Sequence, residues 1–155
     1  MNYLHAANIV GREYRLTYDM VGGCMETQQF RDSIGALNHK VLEQLAQEFG
    51  AGWQTHFDAK VDSMEFLISQ AESVVRLDTD YEKKEKELEA KKTILSLWTE
   101  PSTTKDVFSV EAYKVTLGVK DGVPYDESTS KQGKRNVYYR WAVDINKHKI
   151  VDKDL

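Results

Sequence analysis

The chain has 155 residues, 41% hydrophobic and 30% charged, with 2 Pro, 9 Gly and 1 Cys. This composition suits a single folded domain over 1–155 and excludes wholesale disorder, collagen-like repetition, an internal disulfide and a thiolate-rich metal site. Twenty-one basic against 25 acidic side chains give a net charge of −4, which selects no class of partner. Residues 1–8 have no basic n-region and no long apolar run, so they do not read as a secretory signal. No window approaches the roughly 18 apolar residues of a membrane span, and the expectation is a cytoplasmic protein without membrane contact.

From 12 to 20 the residues alternate. Tyr14, Leu16, Tyr18 and Met20 share one face, and Glu13, Arg15, Thr17 and Asp19 the other. Period two predicts a strand, closed by Gly22 and Gly23. From 27 to 49 the period becomes helical: Phe30, Ile34, Leu37, Val41, Leu45 and Phe49 fall on one stripe, read as a core-facing side, and Gly50 follows as a cap. Gly35 inside this helix costs about 1 kcal/mol relative to Ala, and close approach of a neighbouring element is its simplest reason.

A second helical pattern begins near Asp58, with Val61, Met64, Ile68, Ala71 and Val75 in one row. Between Asp78 and Lys92 eleven of fifteen residues are charged, after which Ile94, Leu95, Leu97 and Trp98 restore apolar character before Pro101. Two readings of 58–98 compete. One is a single protruding helix of about 60 Å. The preferred one is a helical hairpin broken at 78–80, where Thr79 and Glu82 have capping-box spacing, with a second arm burying Leu88, Leu95 and Trp98.

Beyond Pro101 the period returns to two. Phe108, Val110 and Ala112 are out of phase with Tyr113, Val115, Leu117 and Val119, which predicts a bulge near Ala112 or two short strands. Asp121-Gly122 suits a tight turn, but Pro124 and the polar run 126–135 read as a long loop. Val137, Tyr139, Trp141, Val143 and Ile145 mark another strand, and Ile150-Val151 a short return strand. The expected class is α+β: an antiparallel sheet of the N-terminal strand and the C-terminal strands, covered on one face by a helix and the central hairpin or long helix.

Recognisable chemistry is sparse. The histidines His5, His39, His56 and His148 have no metal-ligand spacing, Cys24 is a lone thiol in a turn, and no nucleotide-binding or nucleophile motif occurs. Neither a cofactor, a metal nor a catalytic residue is expected, although a small enzyme without a motif stays an alternative. Two segments stand out. Phe66, Leu67 and Ile68 wrap more of a helix than one buried stripe covers, and with Tyr81 and Leu88 they form the candidate surface for another protein, including a second copy of the chain. The segment 131–149 carries a local charge of +5. Its Lys131, Lys134, Arg135, Tyr138 and Arg140 combine cations with a stacking ring, the requirement of a single-stranded nucleic-acid surface. The favoured expectation is a self-associating inhibitor, adaptor or assembly factor, with nucleic-acid binding as the alternative.

Overall fold

A computed structural model describes residues 3–19, 27–91, 93–115, 117–120, 123–126 and 137–154. It is an α+β fold whose chain divides into two compact units, Met1–Phe66 and Leu67–Leu155.

The first unit opens with α1 (Tyr3–Gly11), followed by a 3₁₀ turn at Arg12–Tyr14. The strand expected over 12–20 does not form in its described residues. The reason is a helix stop: Arg15 takes a left-handed conformation (φ 56°), its N–H bonds Arg12 O at 3.3 Å, and Leu16 N–H bonds Gly11 O at 2.8 Å. These are the paired bonds of a Schellman termination. Gly11 is needed there, because a Cβ would meet Leu16 O at 2.8 Å. The alternation survives without a sheet, since Tyr14, Leu16 and Tyr18 are half-buried while Glu13, Arg15, Thr17 and Asp19 are exposed.

Next comes α2 (Gln28–Phe49), capped at both expected ends. Thr27 Oγ1 accepts from Phe30 N–H at 3.2 Å, and Gly50, at φ 88°, donates its N–H to Ala46 O at 3.0 Å. Helix α3 (Trp53–Arg76) follows, starting about one turn earlier than Asp58. The core of this unit buries Ala6, Ala7, Ile9, Val10, Leu45, Trp53, Phe57 and Val61. Tyr14 ties it together, with ring centroids 5.0 Å from Phe49 and 5.4 Å from Phe57.

In the second unit α3 ends and α4 (Thr79–Glu89) begins at the expected break, with Asp78 rather than Thr79 as the cap: Asp78 Oδ1 accepts from the N–H groups of Asp80 and Tyr81 at 3.0 and 3.3 Å. The single long helix is thereby overturned, and so is the helical reading of 94–98. Ile94–Pro101 is strand β1. A short apolar run cannot be assigned by periodicity alone, and this one contains β-branched and aromatic residues.

Strands β1, β2 (Val107–Val115), β5 (Val137–Asp144) and β6 (Lys149–Asp154) form one antiparallel sheet in the order β1-β2-β5-β6, once β3 (Leu117–Lys120) and β4 (Val123–Asp126) are counted in chain order. Thus β1 takes the place expected for the N-terminal strand. The register slips between Ala112 and Tyr113, where the phase change in the sequence lies. Residues 123–126, read as part of a loop, instead pair with β3 in a separate two-stranded sheet. One face of the four-stranded sheet buries Leu95, Thr99, Phe108, Val110, Ala112, Trp141 and Val143. Helices α3 and α4 reach it through Glu72, which accepts from Thr99 Oγ1 at 3.3 Å, and Tyr81, 6.3 Å from Trp141.

Candidate docking face on the second helix

The residues singled out on 66–88 do not share one surface. Phe66 is 63% exposed, Leu67 half-buried, and Ile68, Tyr81 and Leu88 are buried. Tyr81 and Leu88 are therefore core residues in a highly charged segment rather than contact residues. Tyr81 is fixed at its hydroxyl, which donates to Glu85 Oε1 at 3.0 Å and accepts from Arg76 Nη1 at 3.1 Å. Burial pushes its phenol up to about 12, against the Arg76 charge and with help from Glu85. The carboxyl of Asp78 is pushed up by burial, but Lys153 Nζ at 2.8 Å and the two backbone donors outweigh this and hold it below its ordinary value. Lys153 also pairs with Asp80, so β6 is fastened to the start of α4.

The basic candidates fare differently. Lys131, Lys134 and Arg135 lie outside the described residues, as does Cys24. Arg140 is paired with Glu111, its Nε donating to Oε1 at 2.8 Å. The Tyr138 ring has Lys84 Nζ 4.6 Å from its centroid. The described cation is balanced by a carboxylate, and the described ring already carries a cation. Among the described residues no cluster of His, Cys, Asp and Glu could hold a metal ion, and no helix is long and apolar enough to cross a membrane.

Among the described residues of the first unit, the stripe of α2 is left largely uncovered within that unit. Its last turns are used within the unit, by Leu45, buried, and Phe49 beside Tyr14. Its first four turns are not: Phe30 is 42%, Leu37 62% and Val41 41% exposed, and only Ile34 is half-buried. Gly35 has nothing within 4 Å of where a Cβ would stand, so the close approach expected there is absent. At 100° per residue, Gln28, Asp32, His39 and Glu43 lie opposite the stripe. They are engaged with one another along the helix: Gln28 Nε2 donates to Asp32 Oδ1 at 2.8 Å, and His39 Nε2 lies 3.1 Å from Glu43 Oε1. The helix is thus polar and internally paired on one side, and apolar and largely exposed on the other. Periodicity located this stripe in the sequence but assigned it to the core, and only the tertiary structure separates its buried Leu45 from its exposed members. No family model, curated protein or solved structure matches the chain.

Proposed function

We propose that this protein acts by binding another protein chain rather than by catalysis, as an inhibitor, adaptor or assembly factor of the cytoplasm, and that it docks through the open stripe of α2. The observation that carries the reading is the exposure of Phe30, Leu37 and Val41 on a helix with capped ends and a polar opposite face. An amphipathic helix gains most of its stability by burying its apolar side against something. Contiguous exposed apolar residues rimmed by polar ones are the mark of an interaction surface. The recognition mode is the packing of helix anchors at i, i+4, i+7 and i+11 against a complementary groove or helix.

Native mass spectrometry of the protein isolated from its own source provides the test. Sprayed from both dilute and concentrated solution, the wild type is expected as a complex at least in the concentrated sample, and a Leu37→Glu, Val41→Glu double variant as a bare chain with unchanged circular dichroism in both. A wild type recovered only as bare monomer from both would overturn the reading.

A further inference from the structure

We propose that the occupant of the α2 stripe is a second copy of this chain, its α2 running antiparallel across a two-fold axis level with residues 35 and 36. This rests on the docking reading above and names its partner. The basis is the layout of the stripe. Thr27, Phe30, Ile34, Leu37, Val41 and Gln44 follow one another at spacings of 3, 4, 3, 4 and 3. That order is the same read backwards, polar at both ends and apolar in the four positions between. Reversal of one copy therefore sets Phe30 against Val41, Ile34 against Leu37 and Thr27 against Gln44, twice over, as an isologous contact requires. The spacing is that of the a and d positions of a coiled-coil seam.

Charge selects the antiparallel sense. The next seam position after Gln44 is Glu48. Parallel copies would face Glu48 with Glu48 in the seam, whereas the antiparallel overlap ends before it. At the seam edges the antiparallel pairing places Arg31 near Asn38 and Lys40 near Ser33, so no like charges meet, and the helix macrodipoles oppose. The exposed fractions of the four apolar side chains correspond to on the order of 300 Å² per copy. That is below the roughly 800 Å² per partner of a standard complex, which makes this a weak, reversible dimer formed at high concentration.

Sedimentation equilibrium of the full chain from micromolar to near-millimolar concentration tests it, with Leu37→Glu and Phe66→Glu in parallel. The wild type and Phe66→Glu are expected to double in mass as concentration rises. Leu37→Glu should raise the dissociation constant at least about a hundredfold, since each dimer loses two buried leucines, with an unchanged thermal midpoint at concentrations where the wild type is monomeric. A dimer that survives Leu37→Glu overturns the proposal. So does a wild-type monomer at every concentration, with the thermal midpoint of Leu37→Glu then deciding what else falls. An unchanged midpoint leaves the stripe open for a different protein, and the docking reading stands. A lowered midpoint means the chain covers its own stripe, and both readings fail. Spin labels at Gln47, in a Cys24→Ser background, should lie roughly 35–40 Å apart in the antiparallel dimer from the 1.5 Å rise per residue; a distance below about 25 Å would overturn the antiparallel arrangement.

Discussion

The side-chain amide of Asn8 and the backbone of Tyr18 hold each other by two hydrogen bonds: Tyr18 N–H donates to Oδ1 at 2.6 Å, and Nδ2 donates to Tyr18 O at 2.8 Å. One amide side chain thus presents the donor and acceptor that a neighbouring strand would have offered. An extended, alternating segment keeps the Tyr18 backbone satisfied and its Tyr14, Leu16 and Tyr18 half-buried without belonging to a sheet.

Asn8→Ala removes both bonds and should cost about 1–3 kcal/mol in urea unfolding. Asn8→Asp keeps the acceptor and sets a carboxylate against the Tyr18 carbonyl, so it should be at least as harmful at neutral pH. An Asn8→Ala protein as stable as the wild type would show that solvent satisfies Tyr18 equally well.

The helix stop that overturns the N-terminal strand makes two opposed predictions. Arg15 occupies the left-handed position usually held by glycine, so Arg15→Gly should stabilise by about 0.5–1 kcal/mol, despite losing an exposed 3.9 Å pairing with Glu48. Gly11→Ala should destabilise, because its Cβ would press on the backbone carbonyl of Leu16. Thermal melts of the two variants should move in opposite directions.

Acid stability should depend on Asp78. Its folded pKa is depressed below the ordinary 3.8, so as pH falls the unfolded chain takes up this proton first and acid favours unfolding. The contribution is complete above about pH 5 and lost as pH drops through the folded value. Lys153→Met should flatten this acid limb of the stability curve, which denaturation midpoints between pH 2 and pH 6 would read.

Alkali should act through Tyr81, whose folded pKa of about 12 stands above the ordinary 10.0. Below the ordinary value neither state ionises. Between the two values the unfolded chain alone loses its proton, so stability falls as pH rises. Tyr81→Phe should abolish this dependence while costing about 1 kcal/mol at neutral pH for two lost hydroxyl bonds.

Where local chemistry decided the structure, the residues could be read directly. Thr27 and Gly50 bracket α2, the phase change at Ala112 marks the bulge, and the aspartate-rich corner 78–80 breaks the helices. Where the outcome depended on partners, they could not. Arg12 to Asp19 has the period of a strand but follows a helix that ends in a Schellman turn, and Ile94 to Trp98 is too short an apolar run to separate helix from strand. Residues 123–126 pair with β3, and their Pro124 and Asp126 are residue types common in loops. The candidate site divides along the same line. The stripe of α2 is plain in the spacing of Phe30, Ile34, Leu37 and Val41, but its exposure depends on what the remaining chain covers. Tyr81 and Leu88 are the large apolar residues of a charged segment; the hairpin reading buries Leu88, the contact reading exposes both, and both form the buried side of α4.

The four-stranded sheet ends at β1 on one side and β6 on the other. Along β6 the sequence Lys149, Ile150, Val151, Asp152, Lys153, Asp154 puts charges of both signs beside the free backbone, and β1 finishes in Pro101, which has no amide proton to offer. A strand arriving from another molecule would meet unmatched charge at one border and a missing donor at the other. Crowded copies of this protein are thus steered away from joining sheet edge to sheet edge into fibrils, and concentrated solutions should stay clear and free of thioflavin-binding material for as long as the fold holds.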